Sequence, residues 1–396
     1  MNIDKIRNDF PILQEKVKGK PIIYMDSACV SLRPKQVIEK TNEYYAHFSG
    51  CAGRSAHQFA RKTTEEVNKA RETISNFIHA KKPEEIIFTR NTTEGINIIS
   101  HSFGLQKGDA VLLSDKEHNS MLIPFLQLKK KGIDVQIYEF GNLDDFKKKI
   151  NDKVKLVATL HTSNLDGTSQ DIRSIAKIAH EHKAMVLIDG AQAAPHKEIN
   201  MKDLDVDFYA FSGHKMLGPS GIGALYGKKD LLEQLEPYNL GGSTVRNSFY
   251  DHFEIDSVPM RFEAGLQDYS GIMGFSEAIK YLKNIGMDNI QKHEKELNEY
   301  LFEKIKSVPV TILGGAAEKR GGITSFTMKG LHVHDVASLL DASANIMIRS
   351  GQHCVHSWFN AHKIDGSARA SLYLYNTKQE VDVFAEELAK ISKMAA

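Results

Sequence analysis

Cysteine is scarce in this chain, with 3 residues among 396. Cys29, Cys51 and Cys354 are too few and too scattered for a disulfide framework or a CxxC-type zinc site, which points to a reducing compartment where a free thiol stays free. Net charge is nearly absent as well. With 51 Lys+Arg against 50 Asp+Glu and a formal charge of +1, no global field draws the protein toward nucleic acid or an anionic membrane, so any anion it binds is bound locally. No window approaches the roughly 18 apolar residues of a membrane span, and the N-terminus MNIDKIRNDFPILQEKV is charged throughout, without an apolar h-region. A cytoplasmic protein is therefore expected, with no nucleic-acid and no membrane partner. Repeats, low-complexity tracts and Pro/Gly/Ser linkers are also missing, which leaves domain boundaries to be read from changes of pattern.

The length favours two domains, or one large α/β domain with an appendage. From Glu85 onward, short apolar runs alternate with amphipathic stretches: EIIFT (85–89), DAVLLS (109–114), VQIYEF (135–140), KLVATL (155–160), AMVLID (184–189), DFYAFS (207–212) and IGALYG (222–227). Such runs, separated by helix-length segments, are the mark of a parallel sheet buried on both faces. After about Gly271 the pattern changes to long charged helices, 277–305 and 378–394, with short strands such as ITSFTM between them. The expected division is a large α/β domain over 17–271 and a smaller α+β domain from 1–16 and 272–396.

Ligands of open α/β sheets sit at the carboxyl ends of the strands, and those positions are loaded here. After EIIFT, Thr92 and Thr93 stand where a helix begins, so free backbone N–H groups, the positive helix end and two hydroxyls make a phosphate cradle. Asp189 closes AMVLID and Gln192 follows on the next turn. Ser212, His214 and Lys215 sit on a turn leading into a glycine-rich segment, where partial burial lowers a lysine toward the form a Schiff-base amine requires. A phosphate cradle, an acid for a pyridinium, an amide for a phenolate and an amine for an imine are the partners of pyridoxal 5'-phosphate. The late stretch RSGQHC (349–354) ends in a thiol that by itself reads as a zinc ligand, a buried apolar cysteine or a nucleophile on a loop.

In ordered sequence, YMDSACVSLRPKQVIE (24–39), GRSAHQFA (53–60), FTRNTTEGIN (88–97), EHNSMLIPF (117–125), HTSNLDGT (161–168), LIDGAQAAPH (187–196), FSGHKMLGPSGIGALYG (211–227), RFEAG (261–265), RSGQHC and RASLYLYNT (369–377) resemble the class V aminotransferase family. Within it the chain resembles the group II, selenocysteine lyase-like cysteine desulfurases. The resemblance implies PLP fold type I, a mostly parallel seven-stranded sheet with a small α+β domain, a homodimer, and conversion of L-cysteine to L-alanine. By matching position, Lys215 carries the cofactor; Thr92, Thr93, Ser212 and His214 bind its phosphate; Asp189 pairs with the pyridine nitrogen; Gln192 lies near the phenolate oxygen; and His118 stacks on the ring as a catalytic group suited to proton transfer. Asn164 and Arg369, with Arg349 nearby, bind the substrate carboxylate. Cys354 takes the sulfur as a persulfide, for an iron–sulfur scaffold or another acceptor, with His353 and a following helix start as aids to its ionisation. Selenocysteine lyase, epimerase and aminotransferase are the other activities of the same family.

Three stretches depart from the family's pattern. Gln352 replaces the first of two histidines before the cysteine, Gly53 the first histidine of a His-Arg-Gly-x-His stretch, and Leu266-Gln267-Asp268 a Thr-Pro-Asn whose threonine reaches the partner subunit's phosphate; Ser243 is a substitute donor. Cys29 and Cys51 read as buried, inert thiols. His332 to Asp335 (HVHD) lacks further ligands at a recognisable spacing, so no metal is expected.

Overall fold

In the computed structural model, which describes residues 1–394, all seven apolar runs form one sheet. Its strands are β1 (Ile86–Thr89), β2 (Ala110–Ser114), β3 (Asp134–Tyr138), β4 (Val154–Leu160), β5 (Met185–Asp189), β6 (Phe208–Ser212) and β7 (Gly223–Gly227). Their order across the sheet is β1-β7-β6-β5-β4-β2-β3, and β7 alone runs antiparallel to its neighbours. The inner runs are apolar because both faces are covered, whereas the edge strand β3 (DVQIY) leaves Asp134 and Ile137 exposed. Ile86, Phe88, Leu112, Val157 and Ile188 enter the core on one face, while Ile87, Leu113, Leu156, Ala158 and Leu187 enter the core on the other. Gly190, just past β5, has a packing reason: a Cβ there would lie 1.9 Å from the Tyr209 ring.

Around this sheet stand α1 (Lys35–His47), α2 (Gln58–Phe77), α3 (Thr92–Ser102), α4 (Asn119–Leu128), α5 (Ile172–Glu181) and α6 (Tyr269–Ile285). Then follow α7 (Met287–Ile305), the strands β8 (Val310–Ile312) and β9 (Ile323–Met328), α8 (Val333–Ala344), β10 (Arg349–Gly351), α9 (His356–His362), β11 (Ser367–Ser371) and α10 (Lys378–Met394). The four strands make a second sheet, ordered β8-β9-β11-β10. Phe326, Leu340, Ala370, Phe384 and Leu388 build its core.

The expected boundary after Gly271 falls inside α6. Asp268 caps that helix by accepting from Gly271 N at 2.8 Å. Its Ile272, Phe275, Ile279 and Leu282 are buried in the core of the large sheet, where loss of Phe275 alone would cost about 3–5 kcal/mol. The helical stretch breaks at Gly286, whose φ of +90° a side chain disfavours, and the change of core begins in α7. The N-terminal expectation also needs correction. Ile6, Phe10 and Leu13 pack into the core of the large sheet, with Arg7 pairing to Glu380 at 2.7 Å. Ile23 and Met25 belong instead to the core of the small sheet, because Ile23–Tyr24 pairs in parallel with Ile346–Met347. The last two positions of the expected 272–396 segment lie outside the described residues.

Candidate active site

Three strand ends converge beside the antiparallel β7. Past β1, Asn91 accepts from Glu94 N at 3.0 Å and caps α3, which makes Thr92 and Thr93 its first two residues. Thr92 bonds Ser212 Oγ at the end of β6 through both its amide (2.8 Å) and its hydroxyl (2.7 Å), locking the two strand ends together. Thr93 Oγ1 meets Ser120 Oγ at 2.7 Å. Asp189 closes β5, accepting from Ala191 N at 2.9 Å, and pairs in register with Ala210 of β6. The turn after β6 carries His214 and Lys215. Adjacent parallel strands therefore bring Asp189 and Lys215 to one place, as their spacing in the sequence leads one to expect.

Burial sets the charges on this side, which forms the floor of a cavity of about 220 Å³. It pushes the Lys215 ammonium down and the Asp189 carboxyl up, and each group partly offsets the other's shift. His118 is lowered to about 3, by burial first and then by Lys215, Arg369 and Arg349. Its Nδ1 accepts from Ser120 N at 3.0 Å as the cap of α4, so the neutral ring carries its proton on Nε2. Glu117 next to it is fully buried and pushed up to about 8 by that burial. It ties the end of β2 to β4 by accepting from Thr159 Oγ1 (2.7 Å) and Leu160 N (3.1 Å). His214 is lowered to about 4, again by burial first.

The opposite wall comes from the small sheet. Arg369 on β11 is buried; its Nη1 donates to Asn164 O at 2.9 Å, its Nη2 lies 3.4 Å from Asp26 Oδ1, and its Nε has no protein partner. Asn164 Nδ2 in turn donates to His353 O at 2.8 Å. Arg349, paired with Arg369 across β10 and β11, donates from Nη1 to Cys29 Sγ at 2.7 Å. The chain then turns through left-handed backbone at Gly351 (φ +113°), His353 (+49°) and Cys354 (+61°), a conformation that is costly for the two non-glycine residues. Asn119 N donates to Cys354 O at 2.7 Å and fixes the turn against the start of α4. His353 is lowered to about 2, chiefly by burial, and bonds Ser367 Oγ at 2.7 Å. It is thus uncharged and brings no positive charge to Cys354.

The residues the resemblance assigns to cofactor, substrate and sulfur line this one cavity: Thr92, Thr93, His118, Asn164, Asp189, Gln192, Ser212, His214, Lys215, Arg349, Cys354 and Arg369. Cys29 lines it too and is half-buried rather than buried. Asn91, Ser120 and Thr162 are further members that sequence reasoning missed. A helix-capping Asn before two threonines was a legible signal for Asn91, whereas Ser120 and Thr162 carry no local mark. Cys51 is half-buried near Tyr269 Oη at 3.8 Å and stays outside the cavity. His332 caps α8 and His334 bonds Ser350 Oγ at 2.7 Å; among the described residues no group of three or more His, Cys, Asp or Glu could hold a metal ion. Leu266 is 67% exposed, and Ser243 is engaged by Arg54 Nη2 and by Gly265 O.

The cavity suits pyridoxal phosphate. A buried amine and a buried carboxyl stand together, Gln192 presents an Oε1 with no protein partner, and hydroxyls surround the N-terminus of α3. The comparisons agree. The aminotransferase class-V family model matches residues 23–384. A probable cysteine desulfurase of Halalkalibacterium halodurans is 41% identical, covering 98% of each chain. One of Staphylococcus epidermidis is 42% identical over 98% of this chain and 96% of its own. The apo cysteine desulfurase of Thermococcus onnurineus superposes with a TM-score of 0.94 at 35% identity, over 99% of this chain and 98% of that one. From its strand-end chemistry to its full-length likeness, the chain belongs to the aminotransferase class-V family and stands among its cysteine desulfurases.

Proposed function

We propose that the protein is a pyridoxal phosphate-dependent cysteine desulfurase, converting L-cysteine to L-alanine and taking the sulfur on Cys354 as a persulfide. The observation that carries this reading is one cavity with Lys215 and Asp189 on its floor and Arg369 and Cys354 on its wall. Lys215, Asp189 and Gln192 would hold the cofactor, with Thr92, Thr93, Ser212 and His214 at its phosphate; when bound, it supplies an electron sink for the bonds around the substrate's α-carbon.

The chain's own residues do the rest. Arg369 offers its unpartnered Nε, with a fixed planar fork of donors, to the substrate carboxylate, and Asn164 fixes the edge of that site. Lys215, whose ammonium burial disfavours, is the amine placed to take the α-proton and return one on the way to alanine. His118, uncharged with its proton on Nε2, would lie against the cofactor without adding a cation. The Cys354 thiolate attacks the substrate sulfur; a sulfur–sulfur bond forms as the carbon–sulfur bond breaks, and the carbon fragment keeps the electron pair.

This reading includes a homodimer, supported by the exposed Phe249, Tyr250 and Phe253 around the hairpin Val245–Ser248/Phe253–Ile255 and by exposed Leu266. It also includes two domains, divided near Gly286, and a cytoplasmic role in supplying sulfur to iron–sulfur or other sulfur-requiring biosynthesis. Among the described residues no helix is long and apolar enough to cross a membrane. The test is Cys354→Ala beside the unaltered holoenzyme. The variant keeps the cofactor's visible absorbance and forms no persulfide from L-cysteine at that position; undiminished sulfide release under the same conditions would sink the role of Cys354.

A further inference from the structure

Two of the chain's three cysteines face the same cavity, and only Cys354 has a part in the chemistry so far. Cys29 sits past the strand Ile23–Tyr24, in a turn closed by its own N–H to Asp26 O at 3.0 Å. Because that strand pairs with Ile346–Met347, the turn is carried alongside the start of β10, where Arg349 stands. The result is the 2.7 Å contact in which Arg349 Nη1 donates to Cys29 Sγ. The sulfur is therefore engaged as an acceptor by a guanidinium, the kind of neighbour that favours an anionic sulfur. Lys215 and Arg369 line the same cavity as Cys29. A structural thiol sits in apolar packing, whereas this one is half-buried on a cavity wall against the Arg349 guanidinium.

We infer that Cys29 is a second sulfur carrier, receiving the terminal sulfur of the Cys354 persulfide inside the active-site cavity. The inference rests on the desulfurase reading, which supplies that persulfide. The Cys29 thiolate attacks the terminal sulfur; a bond forms between Cys29 Sγ and that sulfur as the bond from it to Cys354 Sγ breaks, and the electron pair goes to Cys354 Sγ. The proton that left Cys29 ends on Cys354, so no oxidant or reductant is consumed. Arg349 stabilises the anionic sulfur at Cys29 before and after transfer, and Cys354 is returned as a thiol while the first sulfur is still held.

The test is peptide mass spectrometry of the holoenzyme after brief exposure to L-cysteine without reductant, with thiols and persulfides blocked by an alkylating agent before digestion. The Cys29 peptide is expected to carry one additional sulfur atom in the unaltered protein. That signal should be lost in Cys354→Ala, and in Cys29→Ser the Cys354 peptide should still carry its sulfur. Arg349→Gln should lower the Cys29 signal several-fold relative to that of Cys354. Sulfur found on Cys354 and never on Cys29 overturns this inference alone. Sulfur on Cys29 in Cys354→Ala overturns the relay order, and sulfur on neither cysteine in any variant overturns the underlying reading of Cys354.

Discussion

Asp189, Ser212 and Lys215 leave neighbouring strands of one buried sheet, whereas His353 and Cys354 sit on a left-handed turn at the edge of a smaller one. The floor is positioned by hydrogen-bonded register and by close packing, as at Gly190 against Tyr209. The wall is positioned by a few bonds across the cavity, from Asn119 to Cys354 and from Asn164 to His353. A site that holds a cofactor through every cycle needs the first kind of support. A thiol that must accept sulfur and give it up again needs the second, in which a few bonds fix a backbone that regular structure does not.

The floor is broken most severely at its amine. Lys215→Ala is expected to reduce cysteine turnover roughly 10²–10⁴-fold while melting at the same temperature as the parent apoprotein or higher, since an ammonium held below its usual range by burial is removed. Steady-state alanine formation and a thermal melt check both halves. On the wall, Arg369→Lys replaces a planar fork by a point charge and should raise KM about 10–100-fold, the cost of a lost charge-assisted hydrogen bond. A smaller change in kcat than in KM, read from the same kinetics, marks a binding role.

Acid should weaken both sides together. His118, His214 and His353 are held at about 3, 4 and 2 against an ordinary 6.5, so between those values the unfolded chain binds more protons than the folded one. Their stabilising contribution is complete above pH 6.5 and is lost as pH falls toward 4. Thermal midpoints of the apoprotein across pH 8 to 5 should show this fall, with about one proton less taken up on unfolding in His353→Asn. The smallest effect is sought at Gly351, whose φ of +113° suits no side chain. Gly351→Ala should cost about 1 kcal/mol, measured by urea denaturation, and lower persulfide formation on Cys354 more than cofactor absorbance.

The floor was more legible in the sequence than the wall, for a physical reason. Continuous apolar runs mark strands buried on both faces, and the residues that end them fall at the site whatever the distant chain does. Asp189, Ser212 and Lys215 could therefore be placed from local pattern. Cys29 could not, because its neighbour Arg349 is brought to it by the pairing of Ile23–Tyr24 with Ile346–Met347, a contact between segments more than 300 residues apart. The boundary in α6 failed for a related reason. Its exposed face is charged enough to resemble α7, and the large-sheet core that claims Phe275 and Leu282 is far away in sequence.

The bond from Asn119 N to Cys354 O has a consequence for how sulfur leaves. Asn119 directly follows His118, so the cysteine proposed to carry sulfur and the imidazole on the cavity wall share one mechanical mount. Swinging the loop outward would break that bond and the one from Asn164, about 1 kcal/mol each, and would tug on the cap of α4 as it did so. Rotation of the Cys354 side chain about its own bonds requires neither. On the proposed chemistry, export is then a matter of an acceptor reaching inward to a docked sulfur, and the width of the entrance, rather than the travel of the loop, would decide which acceptors are served.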